Sequence, residues 1–554
     1  MTETIADLVA CEDVLTFVNA AITGTGRREF HHDAAEQRLS LGFLHAYMRE
    51  NYRDLYAATL ALDVNDHNAA LIIRGLLGTP HAVDAARRRL ESRLVARKLE
   101  LLPPQRVYRL FRALRHDRVN NRRTRAIIRD WLLARPDLAF DAVKYRGALK
   151  DAVRHAHLDA RALVPNASEH VRDEIGRLFH GSTGRPFVTP IFETWRQAHY
   201  AQKAVYELPF TVAEGFAARH GIPRKRFLER AEQSMTRLER LRLQNHAGAN
   251  KARIDIDLAS VPLTRLATYV LSLPLDERSK RRAELTGALR AAARRAAGPD
   301  AGTWGRVAAV LDDSFSTVGS AEKRRRPLAV ALGGHYLLEA LAGEYVPLWT
   351  SGRTDPLLLY PFGPTPLGTR LLDALGAAPD RLVIVSDGFD NAPPGLAAEV
   401  LRVWRTRLDP DRRVSITHLN PVYDADGFDV RRLVPTVPTA GVRDAEDLLT
   451  LVELARFAEG RVGLPELRAH LDARVARFLN APGGRAANAG AKPPRATQTE
   501  TQTPSETDAQ SETETETQAE TDAQSETETR AETETQRETG MQRETGMQTG
   551  AETP

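Results

Sequence analysis

The stretch RVAAVLDDSFSTVGS, residues 306–320, sets the reading of the second half of the chain. From Val307 to Leu311 it is uniformly apolar, the pattern of a strand covered on both faces. It then presents hard oxygens at Asp312, Asp313, Ser314, Ser316 and Thr317. A plain surface turn has that composition. So does a site for a small divalent cation, which takes oxygen ligands and retains several waters.

The surrounding sequence favours the second alternative. After Gly298-Pro299-Asp300, strand-like runs at 306–311, 345–349, 356–360, 381–385 and 413–419 alternate with helical stretches at 327–342, 366–376, 394–408 and 443–458. Such alternation predicts a mainly parallel sheet with helices on both faces. Ligands of these sheets sit at the carboxyl ends of the strands. Asp312, Ser314 and Ser316 follow the first strand, and Asp387, in VSDGFDN, follows the strand 381–385. Thr365, in GPTPLGT, lies just before a helix, with Thr369 as a rival in the same segment. One or two carboxylates with hydroxyls suit Mg²⁺ and leave a position open for an outside carboxylate or phosphate.

Asp312-x-Ser314-x-Ser316 with the distant Thr365 and Asp387 resembles the metal-ion-dependent adhesion site of von Willebrand factor A domains. Gly363-Pro364-Thr365 stands where that family often has Gly-Gly-Thr. The resemblance implies a Rossmann-like A domain over 300–480 that holds Mg²⁺ or another divalent cation. No histidine or lysine base adjoins the cluster in sequence, and neither a nucleophile elbow nor a phosphate loop is present. The expectation is therefore a binding or structural cation site and a protein that is not an enzyme.

Residues 1–295 have a different texture, helix after helix with short connections. In 34–48, Leu39, Leu41, Leu44 and Met48 recur near the helical period, and Asp66-His67-Asn68 caps an apolar turn. Serial helices of this kind predict an α-solenoid or helical-repeat array. Within RVYRLFRALRHDRVNNRRTRAIIRDW, 106–131, Val107, Leu110, Phe111 and Leu114 form one buried stripe. Thr124, Ile127, Ile128, Trp131 and Leu132 form the next. Nine arginines flank these stripes against only two acids, Asp117 and Asp130. Like charges that dense repel one another on a helix, and a phosphate backbone relieves the repulsion. A solvated face in an arginine-rich chain is the alternative.

RRTRAIIRDW followed by AVKYRGALKDAVRHAH resembles the TROVE domain, the helical-repeat RNA-binding ring of Ro-type proteins. Proteins of that family also place an A domain after the ring. The resemblance is clearest over about 120–160 and includes SMTRLERLRLQ, 234–244. It implies a HEAT-like ring that binds Y RNA-like or misfolded noncoding RNA. By position, the matching residues are Arg122, Arg125, Lys144, Arg146 and His157, with His155 an equal rival to His157.

Charge is divided along the chain. Residues 496–554 carry a net −12, so the body, 1–495, carries +16 of the overall +4. A body that basic fits a polyanionic partner. From 481 onward the chain turns to Pro, Gly and Ala and then to Thr, Glu, Gln and Ser. TDAQSETET occurs at 507–515 and 521–529, and QRETGMQ at 536–542 and 542–548. A segment so poor in apolar residues is expected to be disordered. The single cysteine, Cys11, excludes a disulfide scaffold and a cysteine-rich zinc site. With an N-terminus that lacks a signal pattern, it points to the cytoplasm. The apolar stretch 327–343 contains His335 and Glu339 and is too polar to span a bilayer.

The expected class is thus α plus α/β: a helical ring over 1–295, an A domain over 300–480 and a disordered acidic tail over 481–554. The expected function is non-enzymatic RNA binding by a monomeric protein. The alternative is an Mg²⁺-dependent adaptor whose A domain docks an AAA-type ATPase or another protein.

Overall fold

The structure is a computed structural model that describes residues 5–25, 34–79, 83–159, 163, 169–231, 235, 258, 261–320, 323–422, 431–458 and 463–481. The acidic tail and all of SMTRLERLRLQ except Met235 lie outside the described residues. The chain forms two compact units. Among the described residues, the first comprises 5–189 and 258–481, and the second comprises 190–235.

In the first unit the chain opens with α1 (Ile5–Thr23), α2 (Ala34–Asn51), α3 (Arg53–Ala58), α4 (Asp66–Gly78) and α5 (Ala85–Leu101). There follow α6 (Pro104–His116), α7 (Arg122–Leu133), α8 (Leu138–Lys144), α9 (Arg146–His155) and α10 (Glu169–Phe179). The second unit holds α11 (Pro190–Gln197), α12 (Gln202–Val205), α13 (Phe210–Arg219) and α14 (Arg224–Ala231). Returning to the first unit, α15 (Leu263–Ser272), α16 (Leu275–Lys280) and α17 (Arg282–Ala297) lead into the sheet.

Local chemistry explains several boundaries. Asn65, Asp84, Asn121 and Asp137 accept hydrogen bonds from backbone N–H groups in the first turns of α4, α5, α7 and α8. Val107, Leu110, Phe111 and Leu114 of α6 are all buried, as their spacing requires. On α7 the buried positions are Thr124, Ile128, Trp131 and Leu132, with Ile127 half-buried. On α2, Leu41 and Met48 face inward, whereas Leu39 is 78% exposed. The inward stripe of Leu41 and Met48 is completed by His45, which lies between the Tyr56 hydroxyl at 2.8 Å and Asn68 Oδ1 at 3.0 Å.

The sheet has five parallel strands, β1 (Arg306–Leu311), β2 (Glu344–Trp349), β3 (Arg381–Val385), β4 (Ser415–Asn420) and β5 (Thr439–Gly441), in the order β2-β1-β3-β4-β5. Helices α18 (Arg326–Leu341), α19 (Leu367–Gly376) and α20 (Leu396–Val403) lie between strands, and α21 (Leu448–Ala458) and α22 (Leu464–Asn480) follow β5. Alternate strand residues Ala308, Val310, Leu382, Ile384 and Ile416 pack under α19 and α20. The opposite face is covered by α18 and α21, and α15 and α17 pack behind α18. Pro347 is tolerated because β2 is an edge strand.

The run 356–360 is not a strand, contrary to its composition. The Asp355 side chain accepts from the Leu357 N–H at 3.0 Å and, with Pro356, starts a short 3₁₀ turn. Leu357 and Leu359 are buried. Their carbonyls are satisfied by the buried Arg278 guanidinium of α16, at 3.2 and 2.8 Å, instead of by a ladder. The same side chain donates to Leu271 O and Leu273 O at 2.9 Å each.

The helical and sheet regions of this unit share a surface. Helix α1 packs on α21 and α22, Thr450 Oγ1 donates to Asp63 at 2.6 Å, and Arg468 pairs with Asp54. No helix among the described residues is long and apolar enough to cross a membrane.

Candidate cation site and arginine surface

In the order β2-β1-β3, the connections after β1 and β3 leave towards opposite faces and open a crevice at the strand ends. The loops carrying Asp312 and Asp387 flank that crevice. The backbone continues the ladder past the strands: Asp312 N–H donates to Val385 O at 3.0 Å, and Ser386 N–H to Leu419 O at 3.2 Å. A third loop joins through Phe315 N–H to Gly363 O and Phe362 N–H to Asp313 O, both 3.0 Å. Thr365 is tied to the Asp387 loop, its N–H donating to Asn391 Oδ1 at 2.7 Å. The fold therefore brings Asp312, Ser314, Ser316, Thr365 and Asp387 to one sheet edge. Thr369 lies exposed on α19, its hydroxyl donating to Pro366 O at 2.9 Å.

Asp312, Ser314, Thr365 and Asp387 are buried, and Ser316 is exposed. Asp312 Oδ1 accepts from the Ser314 N–H at 2.8 Å and the Thr350 hydroxyl at 3.2 Å, and Oδ2 from the Ser386 hydroxyl at 3.2 Å. Ser314 Oγ and Ser316 Oγ are 3.1 Å apart. Burial, and then the nearby charge of Asp387, push the Asp312 carboxyl up to about 6. Among the described residues the Thr365 hydroxyl has no hydrogen-bond partner, and Asp387 uses only Oδ1, accepting from the Phe389 N–H at 3.0 Å. Two neighbouring buried carboxylates with uncommitted oxygens beside them fit a small hard cation. The candidate set is of the mixed carboxylate and hydroxyl type; among the described residues no group of three His, Cys, Asp or Glu side chains is placed to hold a metal.

Several supporting residues escaped the sequence reading. Fully buried Asp313 accepts from Thr350 Oγ1 at 2.9 Å, Ser351 Oγ at 2.5 Å and Arg353 Nη1 at 3.1 Å, which fixes the loop on the end of β2. On β4, His418 lies 3.0 Å from Ser386 O, and Asn420 Nδ2 donates to Asp387 O at 3.0 Å. Gly388, at φ 80°, adopts a conformation that strains any side-chain-bearing residue, and a Cβ there would lie a tight 3.0 Å from Arg431 O. The available signal was polar residues at strand ends, in Thr350-Ser351, Ser386 and Thr417-His418-Leu419-Asn420.

The arginines of 106–131 divide into two sets. Arg123 is inward, donating to Glu91 at 3.0 Å, and Arg53 holds the same buried carboxylate at 2.8 Å. Arg112 and Arg115 meet Asp151 of α9, and Arg129 pairs with Asp130. The expectation of two acids for nine arginines is thus corrected: Glu91 and Asp151 arrive from other helices. Arg106, Arg109, Arg118, Arg122 and Arg125 make no ion pair among the described residues.

Arg122, at the first turn of α7, and His157, just after α9, lie on one end of this helix group. Asn120 joins them, its Nδ2 lying 3.0 Å from His157 Nε2. Both α6 and α9 end on a left-handed residue, Arg118 at φ 59° and His157 at φ 54°, with closing bonds from Val119 N–H to Leu114 O and Leu158 N–H to Val153 O. His157 is exposed, whereas its rival His155 is buried against Val119 O at 3.1 Å. Arg125 follows Arg122 by one turn. Lys144 and Arg146 flank the other end of α9, ~15 Å away along its axis. Lys144 sits over the Phe140 ring at 5.6 Å, and burial lowers the pKa of Arg146. The five residues therefore do not form one cluster.

Compared with protein-family models and with curated proteins, the chain matches none. The two resemblances rest on the residues quoted for them.

Proposed function

We propose that the protein is a non-enzymatic RNA-binding protein. Its helical region, TROVE-like in its motif, binds small noncoding RNA by phosphate contacts. Its sheet region is an A-like module that holds a divalent cation. The observation that carries this reading is the division of the arginines: Arg112, Arg115, Arg123 and Arg129 have carboxylate partners, while Arg106, Arg109, Arg118, Arg122 and Arg125 have none among the described residues. Guanidinium groups without internal acids grip phosphate oxygens in forked pairs. Recognition of RNA by shape and charge requires no base code.

In the sheet region, Asp312, Ser314, Ser316, Thr365 and Asp387 would hold Mg²⁺. When bound, the cation supplies a positive charge and an open coordination position. The chain's own part is to orient these oxygens through Thr350, Ser386 and Asn391 and to balance the charge with two carboxylates.

Filter binding with a labelled stem-loop RNA bearing a single-stranded end tests the RNA reading. Arg122→Glu with Arg125→Glu is expected to weaken binding at least about tenfold while leaving the fold intact. Unchanged affinity in that variant overturns it.

A further inference from the structure

Helix α22 brings the chain to an arginine face just before its acidic segment begins. The last turn of α22 lies against α5: Lys98 Nζ is 5.9 Å from the Phe478 ring, and Arg97 Nη2 donates to Ala481 O at 3.2 Å. On its other flank α5 packs on α7, where Arg123 Nε donates to Ser92 Oγ at 3.0 Å and Trp131 Nε1 to Leu99 O at 3.1 Å. By helical period, Arg89 and Arg93 lie on the ridge of α5 between these two flanks, and both are exposed. Neither has an ion pair or hydrogen bond among the described residues, whereas Arg97 is matched by Glu100 at 2.9 Å. With Arg122 and Arg125 they put four guanidinium groups without an acid on two adjoining helices.

The sequence beyond Ala481 supplies what this face lacks. Residues 482–499 contain no acid, and 500–528 then holds ten carboxylates and no basic residue. We infer that the outer face of α5 and α7 docks this chain's own segment 500–528, which thereby excludes RNA. The docking itself needs no RNA; the exclusion rests on the RNA-binding reading above. Reach permits the contact. The 18 residues of 482–499 can span up to about 60 Å. The way along α5 from Arg97 to Arg89 is only ~12 Å. Spacing permits it too. In Glu512-Thr513-Glu514-Thr515-Glu516 and Glu526-Thr527-Glu528 every second residue is an acid. Drawn out as a strand, such acids recur every ~6.6 Å on one side. Arg89 and Arg93 are ~6 Å apart along their helix. The tether favours this occupant over a separate acidic partner, because a linked segment meets its own chain at high effective concentration.

Two full-length chains test this: the unaltered one, and one with Glu→Gln and Asp→Asn at every acid of 500–528. The probes are a labelled peptide of residues 500–528 and a labelled single-stranded RNA. The neutralised chain is expected to bind the peptide, with an affinity that Arg89→Glu/Arg93→Glu lowers at least about tenfold and that about 0.5 M salt removes. The unaltered chain, its face already occupied, is expected to bind peptide and RNA at least about threefold more weakly than the neutralised chain. No peptide binding, binding indifferent to the double variant, or equal peptide affinities in the two chains would each overturn the inference. So would equal RNA affinities where RNA is bound, or a difference that disappears on dilution, which would place the segment on a second copy. If neither chain binds RNA, the RNA-binding reading fails, and the peptide titration separately decides the docking.

Discussion

The two charged regions of this protein are built on opposite plans. At the sheet edge, carboxylates are buried and brought together by backbone topology, so their mutual repulsion is built into the fold. Along α6 and α7, arginines are spread on helix surfaces, and carboxylates from α5 and α9 neutralise some of them. The difference teaches where charge is structural and where it is left over for a partner. Neighbours in sequence fall on either side of that line: Arg123 is locked on Glu91, while Arg122 and Arg125 have no acid among the described residues.

The largest effect comes from removing the acid that makes Arg123 structural. Glu91→Ala strands two buried guanidinium groups and is expected to cost about 3–5 kcal/mol in a urea titration. A loss under about 1 kcal/mol would break the comparison on its structural side.

Buried histidines on α2 and α18, outside both surfaces, give the next effect. Burial lowers the pKa of His45 and of His335 to about 4. Between that value and the unfolded value near 6.5, the unfolded chain binds the extra proton, so stability falls as pH falls through this window. Each histidine contributes up to about 1.4 kcal/mol per pH unit. Denaturation midpoints measured from pH 7 to pH 4 are expected to decline, and less steeply in His45→Gln.

The sheet-edge plan is tested by metal. Mg²⁺ at a hundred times its dissociation constant is expected to stabilise the fold by about 2.7 kcal/mol, seen as a higher Tm that EDTA reverses. Asp312→Asn and Asp387→Asn should each remove the response. A Tm that Mg²⁺ leaves unmoved would leave the carboxylate pair without its proposed role.

The smallest effect lies on α7. Arg122→Ala is expected to change stability by less than about 0.5 kcal/mol, because exposed side chains without partners hold nothing in place. Arg123→Ala, one residue on, should cost more, and the contrast sharpens the division between the two arginine sets.

The sheet edge was legible in sequence because the candidate ligands lie directly at the strand ends. Once 306–311 and 381–385 are parallel neighbours, Asp312 and Asp387 must meet. The supports were not legible: Thr350, Asn391 and His418 act through loops and strands whose approach only the fold defines. The run 356–360 misled because buried leucines look alike in a strand and under a side-chain clasp, and Arg278 lies far away in sequence. Arginine faces are the least readable of all. Helical period separates inward from outward positions on α6, but Arg123, on the flank of α7, is taken inward by Glu91 on α5, and Asp151 reaches Arg112 and Arg115 from α9.

The central claim is that the uncompensated arginines neutralise RNA phosphates. Fluorescence anisotropy of a labelled single-stranded RNA, titrated with the full chain over a range of salt concentrations, tests it most directly. The expected plot of log affinity against log salt is linear and steep. Its slope should shrink by about 0.7 for each phosphate that Arg122→Gln or Arg125→Gln leaves without a cation. A shallow slope, or the same slope in both variants as in the unaltered chain, would contradict the claim.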